Sequence, residues 1–220
     1  MNEKVLKKIE DGREYRSMTL EVRQVEDDSE KLVEGYATTF NEPYQLYETE
    51  DYIAQEQVDS RAFEETDMSD VIFQYDHVGR VYARLSNDTM TLDTDEHGLK
   101  VVANLGGTTE GRNLYEEISG GYTNKMSFGF TVEEDHIDEV GKENGKVVYL
   151  RTIDKVGKLY DVSAVSLPAN DYTSISAKRS LEGVIEEREV ERLRVVEERR
   201  KLEDRKNNLL ARLNELTKGD

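Results

Sequence analysis

Leu159-Tyr160-Asp161-Val162-Ser163-Ala164-Val165-Ser166-Leu167 reads as a β-strand that Pro168 ends. With a period of two, Leu159, Asp161, Ser163 and Val165 share one face. An acid in an otherwise apolar strand needs a partner. Similar short runs recur upstream, with turn signals between them. Ser17–Val25 alternates, with Met18, Leu20 and Val22 on one face. Leu32–Phe40 follows, and then the short apolar run Val71–Tyr75. Thr89–Thr94 and Leu99–Leu105 flank Asp95-Glu96-His97-Gly98, which reads as a hairpin loop. Phe128–Glu134 and Val147–Ile153 flank a longer connection that holds the turn dipeptide Asn144-Gly145.

Two helical patterns interrupt the strands. Ser60–Glu65 reads as a short helix capped by Asp59 or Ser60. In Thr109–Ser119, Leu114, Tyr115 and Ile118 recur at helical spacing, and Gly120-Gly121 gives a stop. The fold class is therefore mostly β with packed helices (α+β), a β-barrel or sandwich over residues 15–178 after an N-terminal extension, 1–14.

From residue 179 to 220 glycine nearly vanishes and Glu, Arg, Lys and Leu dominate, the composition of one long charged helix. One heptad position holds Leu181, Val195, Leu202, Leu209 and Leu216, with Arg188 breaking it. The companion position holds Ile185 and Leu213, but Arg192, Arg199 and Lys206 fill its middle. A two-stranded seam wants apolar residues at both positions. The tail is either a recruitment, scaffold or oligomerisation helix, or a solvated helix laced by Glu–Arg pairs four apart.

The 220 residues carry a net charge of -18. The tail contributes little of it, since residues 182–220 hold 10 basic and 11 acidic side chains. The acidic front disfavours nucleic acid and anionic membranes, and favours either basic partners or simple solubility. There is no cysteine, hence no disulfide and no thiolate nucleophile. No apolar run approaches the roughly 20 residues that span a bilayer, and the first residues lack the apolar core of a secretion signal. The expectation is a soluble protein of cytoplasmic origin. The three histidines include no paired ligand motif, so neither a metal site nor a cofactor is expected.

Three histidines make the search for a general base short. His97 falls in a hairpin tip and His136 in a charged connection, Glu133-Glu134-Asp135-His136-Ile137-Asp138. His77 directly follows the buried-looking strand Val71–Tyr75, a rigid place from which to present a base. Ser127, in Asn124-Lys125-Met126-Ser127-Phe128-Gly129-Phe130, is the candidate nucleophile. It follows a glycine turn, and Gly129 permits close backbone approach. Asp161 is the candidate third member. Its partner is either the second nitrogen of His77, or a basic side chain such as Arg151 or Lys155.

Six fragments stand together along the chain: Glu14-Tyr15-Arg16, Val33-Glu34-Gly35-Tyr36-Ala37, Asp76-His77-Val78-Gly79, Met126-Ser127-Phe128-Gly129-Phe130, Leu159-Tyr160-Asp161-Val162-Ser163 and Pro168-Ala169-Asn170. Together they resemble the prohead proteases of tailed phages, a capsid-maturation family related in fold to the herpesvirus assemblins. The resemblance covers residues 13–178. It implies a herpesvirus-protease-like β-barrel and a serine endopeptidase. That enzyme acts inside the immature capsid in the host cytoplasm, cleaving scaffold segments from the major capsid protein, and itself. It implies His77 as base, Ser127 as nucleophile and Asp161 as third member, where relatives often carry glutamate. A homodimer is implied by analogy. The oxyanion donors stay open among backbone amides after Ser127, those near Ser166 and Leu167, and Arg151. The other reading is a catalytically inactive capsid scaffold or assembly protein with a protease-like domain.

Overall fold

A computed structural model describes residues 12–18, 23–24, 30–166 and most of 183–207. The expectations placed on residues 1–11, 19–22, Val25, Leu167, Pro168-Ala169-Asn170 and the heptad residues Leu181, Arg192, Leu209, Leu213 and Leu216 lie outside them. The chain divides into two compact units, Met1–Ala177 and Lys178–Asp220.

The first unit is mostly β. Its strands are β1 (Glu14–Met18), β2 (Arg23–Gln24), β3 (Leu32–Thr39), β4 (Tyr44–Glu48), β5 (Tyr52–Val58), β6 (Ile72–Tyr75), β7 (Val78–Arg84), β8 (Met90–Thr94) and β9 (Gly98–Asn104). Helix α1 (Thr109–Ser119) and the long strands β10 (Lys125–Glu143) and β11 (Lys146–Val165) follow. A seven-stranded sheet has the order β1-β10-β11-β5-β4, with β6 also on β11 and β7 on β6. A four-stranded sheet has the order β2-β3-β9-β8. Among the described residues no pairing joins the two into a closed barrel. The larger sheet ends on β1, β4 and β7, and the smaller on β2 and β8, so the described residues form two open sheets around one core, without the closure of the expected barrel. The expected strand Ser17–Val25 is likewise divided, with β1 in one sheet and β2 in the other.

Strands β10 and β11 form one long antiparallel hairpin. Asn144 (φ 50°) and Gly145 (φ 84°) make its two-residue turn. Two positive φ values give a turn whose twist matches that of the strands, so the arms pair from the turn onward. The run expected at 147–153 and residues 159–165 of the run expected at 159–167 therefore join into one strand. His136, expected in a connection, lies in β10. The far edge of β11 is shared end to end by two parallel neighbours, β5 on Val147–Ile153 and β6 on Asp161–Ala164.

Alternation along these strands separates core from site. Met126, Phe128 and Phe130 of β10, with Val162 and Ala164 of β11, enter the hydrophobic core. There they join Val33 and Ala37 of β3, Met90 of β8 and Leu99, Val101 and Ala103 of β9 from the smaller sheet. Ser127, Gly129, Asp161 and Ser163 have the opposite parity. Helix α1 adds Leu114, Tyr115 and Ile118 to the core. Thr108 caps it by accepting the Gly111 N–H at 2.9 Å, and the helix ends at the expected glycines. Residues 60–65 are a run of turns rather than the expected helix. The Val156 N–H donates to the Ala62 carbonyl and the Thr66 hydroxyl donates to the Val156 carbonyl, so bonds to β11 tie this segment down in place of a helical ladder.

In the second unit the described residues within 183–207 are helical. Arg194 pairs with Glu191 and Glu198, and Lys201 with Glu197, on an exposed surface. Val190, Leu193, Val196 and Leu202 are exposed, whereas Ile185 is buried.

Candidate active site

Two cross-strand rows carry the site. In the first, Ser17 of β1 lies opposite Ser127 of β10, which lies opposite Ser163 of β11, beside Gln74 of β6. In the second, Tyr15 lies opposite Gly129, which lies opposite Asp161, beside Ile72. Residues two apart on a strand share a face, so Ser127, Gly129, Asp161 and Ser163 form one contiguous patch.

His77 reaches this patch from the β6–β7 turn. Tyr75 and Val78 pair across Asp76-His77, and both turn residues are left-handed, with φ 49° and 57°. Asp and His tolerate that region better than most residues, yet holding it takes support from the surroundings. The support is specific. The Asp76 N–H donates to the Ala164 carbonyl at 3.0 Å. The His77 N–H donates to the Ser163 hydroxyl at 3.2 Å. The Asp76 carboxylate accepts the Ser166 N–H at 3.3 Å.

The side chains then form a continuous relay. His77 Nδ1 lies 2.5 Å from Asp161 Oδ1, and His77 Nε2 lies 2.6 Å from Ser127 Oγ. A carboxylate only accepts, so Nδ1 carries the proton and Nε2 is left with its lone pair toward the serine. Ser163 Oγ donates to the same Asp161 oxygen at 3.1 Å. His77, Ser127, Asp161 and Ser163 are all buried. The Tyr15 ring meets the imidazole edge-on, with centroids 4.5 Å apart. Burial, and then the negative charge of Asp161, keep the Tyr15 phenol neutral well above its usual range. An imidazole held between a carboxylate and a serine hydroxyl is the arrangement that generates an alkoxide-like nucleophile for acyl transfer.

A model of the caudovirus prohead serine protease family matches residues 18–187. The chain belongs to that family. No curated protein and no solved structure matches it. As a member of the prohead proteases it is a serine peptidase, and its family implies interaction with capsid proteins.

The remaining sequence candidates sit elsewhere in this prohead protease. His97 occupies its hairpin tip with its ring edge-on to Tyr36. His136 is exposed on β10 between Asp154 and Asp138, and its hydrogen bond to Asp154 raises its pKa. Arg151 and Lys155, the alternative partners of Asp161, are engaged with other acids. Lys155 meets Glu65 and Glu133. Arg151 joins a buried cluster with Glu14, Glu56 and Asp135, to which Arg16 also belongs. That network occupies the guanidinium that was a candidate oxyanion helper, and the Ser166 N–H is donated to Asp76.

Three contributors had no role assigned from sequence. Ser163 braces both Asp161 and the His77 backbone, and period two had already placed it on the Asp161 face. Tyr15 covers the imidazole, and the Arg16 carbonyl accepts from Ser127 Oγ at 2.6 Å. The fragment Glu14-Tyr15-Arg16 carries part of the family resemblance but gives these two no role, because β1 meets β10 across more than a hundred residues. Among the described residues, no group of three or more His, Asp or Glu side chains is placed to hold a metal ion.

Proposed function

We propose that Ser127, His77 and Asp161 are the catalytic residues of an endopeptidase that cleaves scaffold segments from the major capsid protein, and cleaves itself, during prohead maturation. The observation that carries this reading is the unbroken Ser127–His77–Asp161 contact in a buried patch. Ser127 Oγ attacks the scissile carbonyl carbon while His77 Nε2 takes the hydroxyl proton. Asp161 holds the ring in the needed tautomer and stabilises the imidazolium. The imidazolium then gives its proton to the departing amine. A water attacks the acyl ester, loses its proton to the same nitrogen, and releases the new carboxyl end and Ser127.

Under this reading the enzyme works inside the immature capsid, in the host cytoplasm, as a homo-oligomer, and its C-terminal helix docks on a scaffold helix. The test is covalent labelling of the purified chain with a fluorophosphonate. Oγ–P bond formation with loss of fluoride should place one adduct on the Ser127 peptide, and none in His77→Ala. A folded wild-type chain that stays unlabelled fits the inactive scaffold instead.

A further inference from the structure

The Tyr15–Gly129–Asp161 row contains a gap where a side chain is missing. An ideal Cβ built on Gly129 would lie 2.6 Å from Asp161 Oδ2 and 2.7 Å from Tyr15 Cε1. Real Cβ atoms do not approach other atoms so closely, so no other residue fits unless both side chains or the backbone move. Neither has room to yield. Asp161 is 1% exposed and Tyr15 2% exposed. Gly129 itself has no positive φ. Its glycine is therefore explained by this space and not by backbone conformation.

The register of β11 adds to the device. Gly129 faces Asp161 and Phe130 faces Leu159, so Tyr160 is an extra residue on β11. A bulge of this kind bends its strand and re-aims the adjacent side chain. Here the adjacent side chain is Asp161. The carboxylate and the Tyr15 ring thus lean over the Gly129 gap from opposite strands, and both touch the imidazole.

We propose that Gly129 and Tyr15 are positioning residues, which together seat the Asp161 carboxylate and the His77 ring for proton transfer from Ser127. Gly129 provides the slot for the carboxylate. Tyr15 provides a wall that stops the ring from tilting, through its ring and not its hydroxyl. The proposal rests on the catalytic reading of Ser127, His77 and Asp161.

The experiment uses the full chain and an alkyl fluorophosphonate. It measures the maximal labelling rate and the half-saturating concentration, and it records the low-field proton resonance of the His77 Nδ1–H in the same samples. In Gly129→Ala the maximal rate should fall about 100-fold, the scale of an ångström-sized misplacement. Half-saturation should stay within about threefold, because only the chemical step is affected. The low-field resonance should move or vanish. Tyr15→Phe should behave as wild type, and Tyr15→Ala should lose about tenfold in maximal rate. If Gly129→Ala does not fold, the Tyr15→Phe and Tyr15→Ala pair decides by the same two readings. Wild-type rate and an unmoved resonance in folded Gly129→Ala, or in Tyr15→Ala in its place, overturn the proposal. An unlabelled wild-type chain defeats the catalytic reading instead, and the resonance in Gly129→Ala still reports on the positioning.

Discussion

Ser127 has one hydroxyl proton and two acceptors at 2.6 Å, His77 Nε2 and the Arg16 carbonyl. The attack proposed for Ser127 requires the first, so the place of β1 beside β10 bears on the proposed nucleophile directly. Buried charge holds β1 there. Arg16 bonds Glu14 and Glu56, and Arg151 bonds both acids at 2.9 Å. Burial alone would raise the Glu14 carboxyl, but Arg16 and Arg151 outweigh it and hold its pKa at about 2. The unfolded chain therefore binds a proton on Glu14 at pH values where the folded chain does not. Stability rises with pH across that window, is complete above the ordinary 4.5, and is lost as pH falls through 2. The contribution is about 3 kcal/mol. Urea unfolding between about pH 6 and about pH 2 should show this slope in wild type. Glu14→Gln should flatten it and cost about 3 kcal/mol at neutral pH, since two guanidiniums lose a partner. An unchanged slope would remove Glu14 from the account. At this scale the sequence makes the chemistry legible but not the partnerships. Scarcity singles out His77, and an acid in an apolar strand singles out Asp161. Whether Asp161 meets His77, Arg151 or Lys155 depends on contacts between strands far apart in sequence, to which periodicity is blind.

Elements were legible where alternation was local. The β8–β9 hairpin, β3 and α1 lie close to where their patterns place them. The strands β4, β5 and β7 escaped. Tyr44–Glu48 and Tyr52–Val58 are rich in polar residues, because β4 is an edge strand and β5 turns Glu56 into the buried charge cluster. β7 is largely exposed and pairs only with β6. Missing β7 also hid the reason for the His77 position: the imidazole sits in a tight turn with left-handed residues, not merely at a strand end. The helix expected at 60–65 failed for the converse reason, since a good local pattern was overruled by the tertiary hydrogen bonds that Ala62 and Thr66 make with Val156.

At the scale of the molecule, charge and chemistry are segregated. The acidic excess lies in the unit that carries the site, whereas residues 182–220 are near neutral, and the helical residues described among them leave Val190, Leu193, Val195, Val196 and Leu202 exposed. Five apolar side chains held in water on the described part of this helix suit a partner helix better than solvent. Truncation after Ala177 should therefore leave fluorophosphonate labelling of Ser127 intact and reduce co-sedimentation with capsid shells. Loss of labelling with the fold retained would tie the site to the tail. The central claim is tested most directly by co-expressing the chain with the major capsid protein of its own phage, as wild type and as Ser127→Ala, and weighing the capsid protein by mass spectrometry. The account predicts a shortened capsid protein with wild type and a full-length one with Ser127→Ala. Full-length capsid protein with both, or shortening that survives Ser127→Ala, would contradict it.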